Sequence, residues 1–388
     1  MTWEKSKRLR ALPPYLFVEI DRAKRAALAA GRDVINFGVG DPDKPTFEFI
    51  IEAMRQAVAD PANHRYPFDE GVPRFRQACA DFMKTRYGLD LDPKAEIITS
   101  IGSKEVIAHI PLAVVNPGEV VLVPRPGYPV YNSATLFAGA KPVYLPLKER
   151  NGWLPDLTKI PASYLKRARL IYVNYPNNPT AAVATLEWYA QLVAWAKEHN
   201  ILIAADGAYN EMYYESPPPS VLQVPGAKDV AVEFHSLSKT FNMTGWRIGW
   251  VAGNADVISA LASLKGNMDS GQFNAIQWAG VAALEGINRP EVLDQRRVYQ
   301  ARRDALCDGF KRLGFRARRS PATFYVWTPC PKGVDSMTFA KRCLAEADVV
   351  FIPGVGFGPA GEGYFRAALT VETDRIGQAL ERLAKLSW

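Results

Sequence analysis

Cysteine and histidine are scarce in this chain. Four of each are spread over 388 residues. Cys79, Cys307, Cys330 and Cys343 show neither CxxC spacing nor a nearby histidine, so no metal site is expected. The same scarcity argues against a disulfide-stapled scaffold and predicts the reduced thiols of a cytoplasmic protein. Also missing is any run of roughly 18 apolar residues, the length that a membrane span requires. The best candidate, 106–115, is short and contains His109 and Pro111. The N-terminus MTWEKSKRLRALPPYLF is basic but has no apolar signal-peptide core, so neither export nor membrane insertion is expected.

What is present is an ordinary globular balance, 48% hydrophobic and 22% charged. The length suits two domains rather than one core. The net charge of +7 raises the question of nucleic acid. Yet the densest basic runs, Lys5–Arg10 and Lys311–Arg319, are not interleaved with aromatics in a known recognition pattern and fit solvated helix faces or turns. No nucleic-acid partner is expected; an anionic cofactor and acidic substrates would suit the charge equally well.

Short apolar runs alternate with helical patterns from about Val34 to Gly253. EIITS (96–100), VVLVP (120–124), LIYVNYP (170–176), ILIAAD (201–206) and VAVEFHS (230–236) read as strands covered on both faces. Segments 74–87, 103–115, 128–138 and 185–199 read as the helices between them. The pattern predicts an α/β fold with a large, doubly wound, mainly parallel sheet whose ligands lie beyond the carboxyl ends of the strands. After about Ile287 the pattern changes to long helices (290–313, 336–347) and a few strands, VVFIPG and YFRAALT among them, a smaller α+β unit. The division expected is 46–286 for a large domain, 287–388 for a small one, and 1–45 as an irregular arm joined to the small one.

The chemistry concentrates at the predicted strand ends. SLSKTFNMTGWRIGW (236–250) places Ser236 and Ser238 beside Lys239, with Arg247 eight residues on. A lysine partly desolvated there has a lowered ammonium pKa and can attack a carbonyl. The hydroxyls and guanidinium suit phosphate oxygens. Asp206 ends an apolar strand, a costly place for a lone carboxylate, and a protonated pyridine nitrogen would match it. Tyr209 and, in YPNNPT, Asn178 can donate to one ring oxygen. Each has an ordinary alternative, since an N-cap Asp and a turn Asn are commonplace. GSKE (102–105) opens a helix, an anion-binding feature to which Ser103 adds a hydroxyl. Tyr128 in PRPGYPVY could stack on a planar ring or simply pack in the core.

Together these features resemble the class I and II aminotransferases of pyridoxal-phosphate fold type I, over essentially the whole chain. The most specific matches are the Lys239 motif, YPNNPT, D-x-x-Y at 206–209 and YFRAALT around Arg366. The resemblance implies pyridoxal 5'-phosphate held at Lys239 as a Schiff base, with Asp206 on the pyridine nitrogen and Asn178 and Tyr209 on its phenolic oxygen. It implies a phosphate held by Ser103, Ser236, Ser238 and Arg247, with Lys104 nearby, and a ring stacked on Tyr128. Arg366 would grip the substrate α-carboxylate, helped by Gly40. Tyr66 resembles a tyrosine that reaches the neighbouring subunit's phosphate, which implies a homodimer. One departure is Ala181, where the general pattern has glycine after NPT.

A finer resemblance is to the LL-diaminopimelate branch of that family, carried by LPPYLFVEID, GVGDPDKPT, IGSKE, YPNNPTAAVA and ATFYVW. It implies transfer from LL-2,6-diaminopimelate to 2-oxoglutarate, a step toward lysine and peptidoglycan, by a ping-pong route. Asp69, Lys104 and the partner's Tyr15 would meet the distal groups. The branch's distal asparagine falls at Ser270. An alanine or broad aminotransferase, a β-lyase and an aminotransferase-like transcription regulator are the competing readings. The last needs a DNA-binding region ahead of the catalytic part, and the matching pattern begins by about Leu12.

Overall fold

The computed structural model describes residues 3–12, 17–67 and 70–388, with the side chains of 17–19 left out. Among the described residues one seven-stranded sheet dominates, in the order β2-β8-β7-β6-β5-β3-β4. Its strands are β2 (Ile97–Ser100), β3 (Val120–Arg125), β4 (Lys141–Pro146), β5 (Ala168–Asn174), β6 (Leu202–Asp206), β7 (Ala231–Ser236) and β8 (Gly249–Gly253). The five strands from β4 to β7 are parallel neighbours, while β8 runs antiparallel to both β7 and β2. The sheet is thus mainly parallel and doubly wound, the expected α/β class.

Side-chain alternation explains why this sheet needs helices on both faces. Ile171, Val173, Ile203 and Ala205 join one apolar core, and Leu170, Tyr172 and Ala204 join another. The helices Pro73–Tyr87 and Leu186–His199 pack into the first, and Ser103–Val114 and Ala255–Gly266 into the second. Two strands were not foreseen. β4 is an edge strand bearing two prolines and mostly exposed side chains, so its sequence carries little strand signal. β8 is five residues, two of them glycine, inside what reads as a loop motif.

The rest of the chain packs around a second, smaller centre. Strands β9 (Tyr325–Pro329), β11 (Ile352–Pro353) and β12 (Tyr364–Ala368) form a three-stranded antiparallel sheet in the order β11-β12-β9. Phe310, Phe339, Phe351 and Phe365 cluster beneath it, with Phe339 and Phe365 stacked 4.3 Å apart. The single strand expected in VVFIPG is interrupted at Phe351, which turns into this core. Its first part, β10 (Val349–Val350), pairs instead with β1 (Ile35–Asn36). The first 45 residues are not the irregular segment expected. Phe17–Ala29 is a helix of 13 residues whose Ile20 and Ala27 pack on Ala340, Leu344 and Val350. Among the described residues no helix is long and apolar enough to cross a membrane.

Candidate active site

The carboxyl ends of β5, β6 and β7 deliver Asn174, Asp206 and Ser236 to one edge of the sheet, Asn174 and Asp206 being register partners. A cavity of about 980 Å³ opens there, closed on its far side by Arg366 of β12 and Tyr325 of β9. The chain reversal from β7 into antiparallel β8 places Ser236 and Ser100 both opposite Gly249. That reversal returns Arg247 to the start of the Ser103–Val114 helix, which accounts for the eight-residue spacing from Lys239.

Lys239 lies in the turn of helix after β7, its Nζ donating to the Gly40 carbonyl at 2.9 Å. Burial lowers its pKa to about 8; Asp41 opposes this, and Arg247 and Arg366 add to it. The amine is therefore a nucleophile near neutrality. Asp206 is 5% exposed and accepts from Tyr131 Oη at 2.6 Å and from the Ala208 amide at 3.2 Å. Burial raises its pKa although both hydrogen bonds oppose the rise. No ion pair to Asp206 occurs among the described residues, so a cation is the partner it lacks.

On the opposite wall, Arg366 is 6% exposed and donates to Asn178 Oδ1 and the Gly38 carbonyl, both at 2.8 Å. Its Nε is buried with no hydrogen-bond partner among the described residues. Because Asn178 Oδ1 is taken by Arg366, the amide Nδ2 is left to the cavity. The Tyr209 and Tyr325 hydroxyls meet at 2.9 Å, and burial raises the phenol pKa of both, Tyr209 well above the ordinary value, so they stay protonated donors. Ser103, Lys104, Tyr128, Ser236, Ser238, Arg247 and Gly40 also line the cavity. Gly102, at φ 71°, lies where a Cβ would sit 2.5 Å from Arg247 Nη2, so the guanidinium can lie flat over it only because no side chain intervenes.

The structure thus brings together, in one cavity, twelve of the fifteen residues expected from the sequence. Tyr66 stands apart, 91% exposed on its own chain, while Tyr15 and Asp69 fall outside the described residues. Ser270, at φ 57°, lies outside the cavity lining. Tyr131 and Tyr325 were not foreseen as site residues. Tyr131 lies three residues after Tyr128, on the same helix face, and packs edge-on to it with centroids 5.7 Å apart. That spacing was the available signal. Tyr325 follows Thr323, a β-branched residue at φ 65°, an unfavourable conformation found at constrained sites. Ala181 sits at φ 59°, where glycine is the easy residue; its methyl costs about 1 kcal/mol and leaves the Asn177–Ala181 backbone bond at 2.8 Å.

Comparison with known proteins gives one consistent picture. The family model described as aminotransferase class I and II matches residues 32–383. A protein named LL-diaminopimelate aminotransferase from Aquifex aeolicus is 53% identical over 385 residues, 99% of each chain. One of the same name from Syntrophobacter fumaroxidans is 50% identical over the whole of both chains. Among solved structures, apo-BacF from Bacillus subtilis superposes with a TM-score of 0.96 at 36% identity, covering 100% of this chain and 99% of its own.

Proposed function

The chain belongs to the aminotransferase class I and II family, and from that premise we propose that it moves the amino group of LL-2,6-diaminopimelate to 2-oxoglutarate. The products are tetrahydrodipicolinate and glutamate. The observation that carries this reading is the meeting of Lys239, Asp206, Asn178, Tyr209 and Arg366 around one cavity. The substrate rests on the names of relatives about half identical over their full length.

The family's cofactor is pyridoxal 5'-phosphate, and the residues present fit it. Asp206, buried and without a cation, suits a protonated pyridine nitrogen. Asn178 Nδ2 and the Tyr209 hydroxyl suit its ring oxygen, and Tyr128 a ring face. Ser103, Ser236, Ser238 and Arg247 are the hydroxyl-and-guanidinium set that a phosphate requires. When bound, the cofactor supplies an aldehyde for the amino group and a ring that accepts negative charge from the substrate carbon. Arg366 grips the α-carboxylate by a two-point fork and thereby orients the α-hydrogen toward Lys239. Lys239 Nζ, neutral above about pH 8, would be the base that accepts that proton and the acid that later gives it up. Asp206, buried from water, would pair with a ring nitrogen and keep it protonated. The same groups serve the second half-reaction in reverse.

At the far end, Lys104 would take the distal carboxylate and Asp69 the distal ammonium, with Tyr15 from a partner subunit. Tyr66, exposed on its own chain, would reach the phosphate across a homodimer. Residues 46–286 would form the large domain, with 1–45 and 287–388 the small one. A cytoplasmic location suits these substrates. The test is an amino-donor screen with 2-oxoglutarate, scored for glutamate. LL-diaminopimelate should lead the panel; alanine as a far better donor would refute the substrate assignment.

A further inference from the structure

The Pro290–Arg312 helix reaches the site without lining it. Three of its residues, Gln295, Tyr299 and Arg302, recur at the i, i+4, i+7 spacing that puts side chains on one face. All three are buried, at 8%, 1% and 0% exposure. A polar stripe of this kind, facing inward on a helix, must be satisfied by specific partners. Gln295 Nε2 donates to the backbone carbonyls of Lys239 and Thr240 at 3.2 and 3.3 Å, and its Oε1 accepts from Asn242 at 2.7 Å. Two turns along, Arg302 forks onto Asp43 at 2.8 and 2.9 Å and also donates to Glu372 at 2.8 Å and the Leu369 carbonyl at 3.1 Å. Tyr299 Oη lies 3.4 Å from the same Asp43 oxygen.

Asp43 ends a strap whose carbonyls face the site. Gly38 O accepts from Arg366, Val39 O from Thr370, and Gly40 O from Lys239 Nζ. Between Gly40 and Asp43 the chain carries only Asp41 and Pro42, so where Asp43 is fixed, the Gly40 carbonyl is fixed too. The helix therefore holds Lys239 from both sides: the backbone through Gln295, and the acceptor of its amine through Arg302. We propose that the Gln295–Tyr299–Arg302 face is a positioning device for Lys239. Arg302 and Asp43 hold the 38–43 strap against the amine and so keep it dry, while Gln295 holds the backbone from which the amine extends. None of the three touches the cavity. The inference rests on Lys239 being the cofactor-bearing lysine.

Releasing the strap changes the amine in a direction that can be worked out. Burial is the largest cause of its lowered pKa, with Arg247 and Arg366 acting the same way and Asp41 the opposite way. Water admitted beneath a lifted strap hydrates the ammonium and screens the two arginines, so the midpoint rises from about 8 toward the ordinary 10.5. A rise of roughly one pH unit lowers the neutral fraction at pH 8 about fivefold. The experiment is competitive acetylation of Lys239 across pH in the cofactor-stripped full-length chain, read by peptide mass spectrometry. Arg302→Met and Asp43→Asn are compared with the native protein. Both should raise the midpoint, the double variant should add little to the larger single effect, and Arg302→Lys should fall between. Near-ultraviolet circular dichroism checks the fold; should Arg302→Met fail to fold, Asp43→Asn, which leaves Arg302 paired with Glu372, decides the matter. A midpoint within about 0.2 of the native value in a folded variant overturns the proposal. Borohydride fixing of the cofactor to a lysine other than Lys239 in the native holoenzyme would instead overturn the site assignment itself.

Discussion

Replacing Asp206 by asparagine should make the cofactor-free protein more stable and the holoenzyme nearly inactive. The carboxylate is buried, accepts only from Tyr131 and Ala208, and has no cation among the described residues. Burial raises its pKa above the ordinary 3.8. A carboxyl held above its unfolded value contributes stability below that value, and the contribution is lost as pH climbs through the folded one. As pH rises through that folded value, the empty protein comes to carry an ionised group that is better solvated unfolded. Asparagine is the same size, accepts the Ala208 amide at its one oxygen, turns its Nδ2 donor toward Tyr131 Oη, and has no charge to desolvate. The expected gain at pH 8 is roughly 1–3 kcal/mol, the cost of an unmatched buried polar group. For a chain of this length that is a rise in Tm of about 1–4 °C, and it should vanish near pH 4. Differential scanning calorimetry of the stripped native and variant proteins at both pH values measures it. Turnover of the reloaded variant should fall by roughly 100-fold or more, because a fixed charge at the developing negative centre is lost. A stripped variant less stable than native at pH 8, or a difference independent of pH, would refute the reasoning.

Three further outcomes are expected. Arg366→Lys keeps the charge but loses the fork, and should raise KM for every amino donor by roughly tenfold, about 1.4 kcal/mol; an unchanged KM would take the α-carboxylate elsewhere. Asp69→Ala should impair the half-reaction with LL-diaminopimelate far more than that with glutamate, whereas Lys104→Ala should impair both. Equal small losses in single-turnover assays would leave the two as ordinary surface groups. Mixing inactive Tyr66→Ala and Lys239→Ala proteins should restore part of the activity in hybrid dimers, and no recovery with hybrids shown by native mass spectrometry would argue for self-contained sites.

The residues legible in the sequence were those whose position is set by their own element. Asp206 is the last residue of an apolar strand and Ser103 the first of a helix, so local pattern alone brings each to the sheet edge. The reversal at β8 was less visible because GWVAG has two glycines in five residues, yet it is what returns Arg247 to the phosphate end. Tyr131 meets Asp206 from 75 residues away and Arg302 meets Asp43 from 259. No periodicity encodes such contacts; they exist only once distant elements have packed together. The Phe17–Ala29 helix was missed for another reason: prolines just before it read as breakers, and its apolar stripe is diluted by Asp21, Arg22, Lys24 and Arg25.

The two walls of the cavity come from different sheets, and this makes them separately heritable. Most of what would hold the cofactor hangs from the seven-stranded sheet, although Tyr209, just after β6, packs in the smaller core and meets Tyr325. Arg366, Tyr325, Ile352 and Phe357, which face the incoming amino acid, hang from the three-stranded sheet or the turn beside it. The wall that grips the α-carboxylate can therefore drift separately from the cofactor cradle, while Lys104, on the helix beside that cradle, still meets the distal group. For the engineer the same partition is a recipe: a combinatorial library confined to Val39, Ile352 and Phe357 would explore new side-chain preferences while every variant still turned yellow on loading.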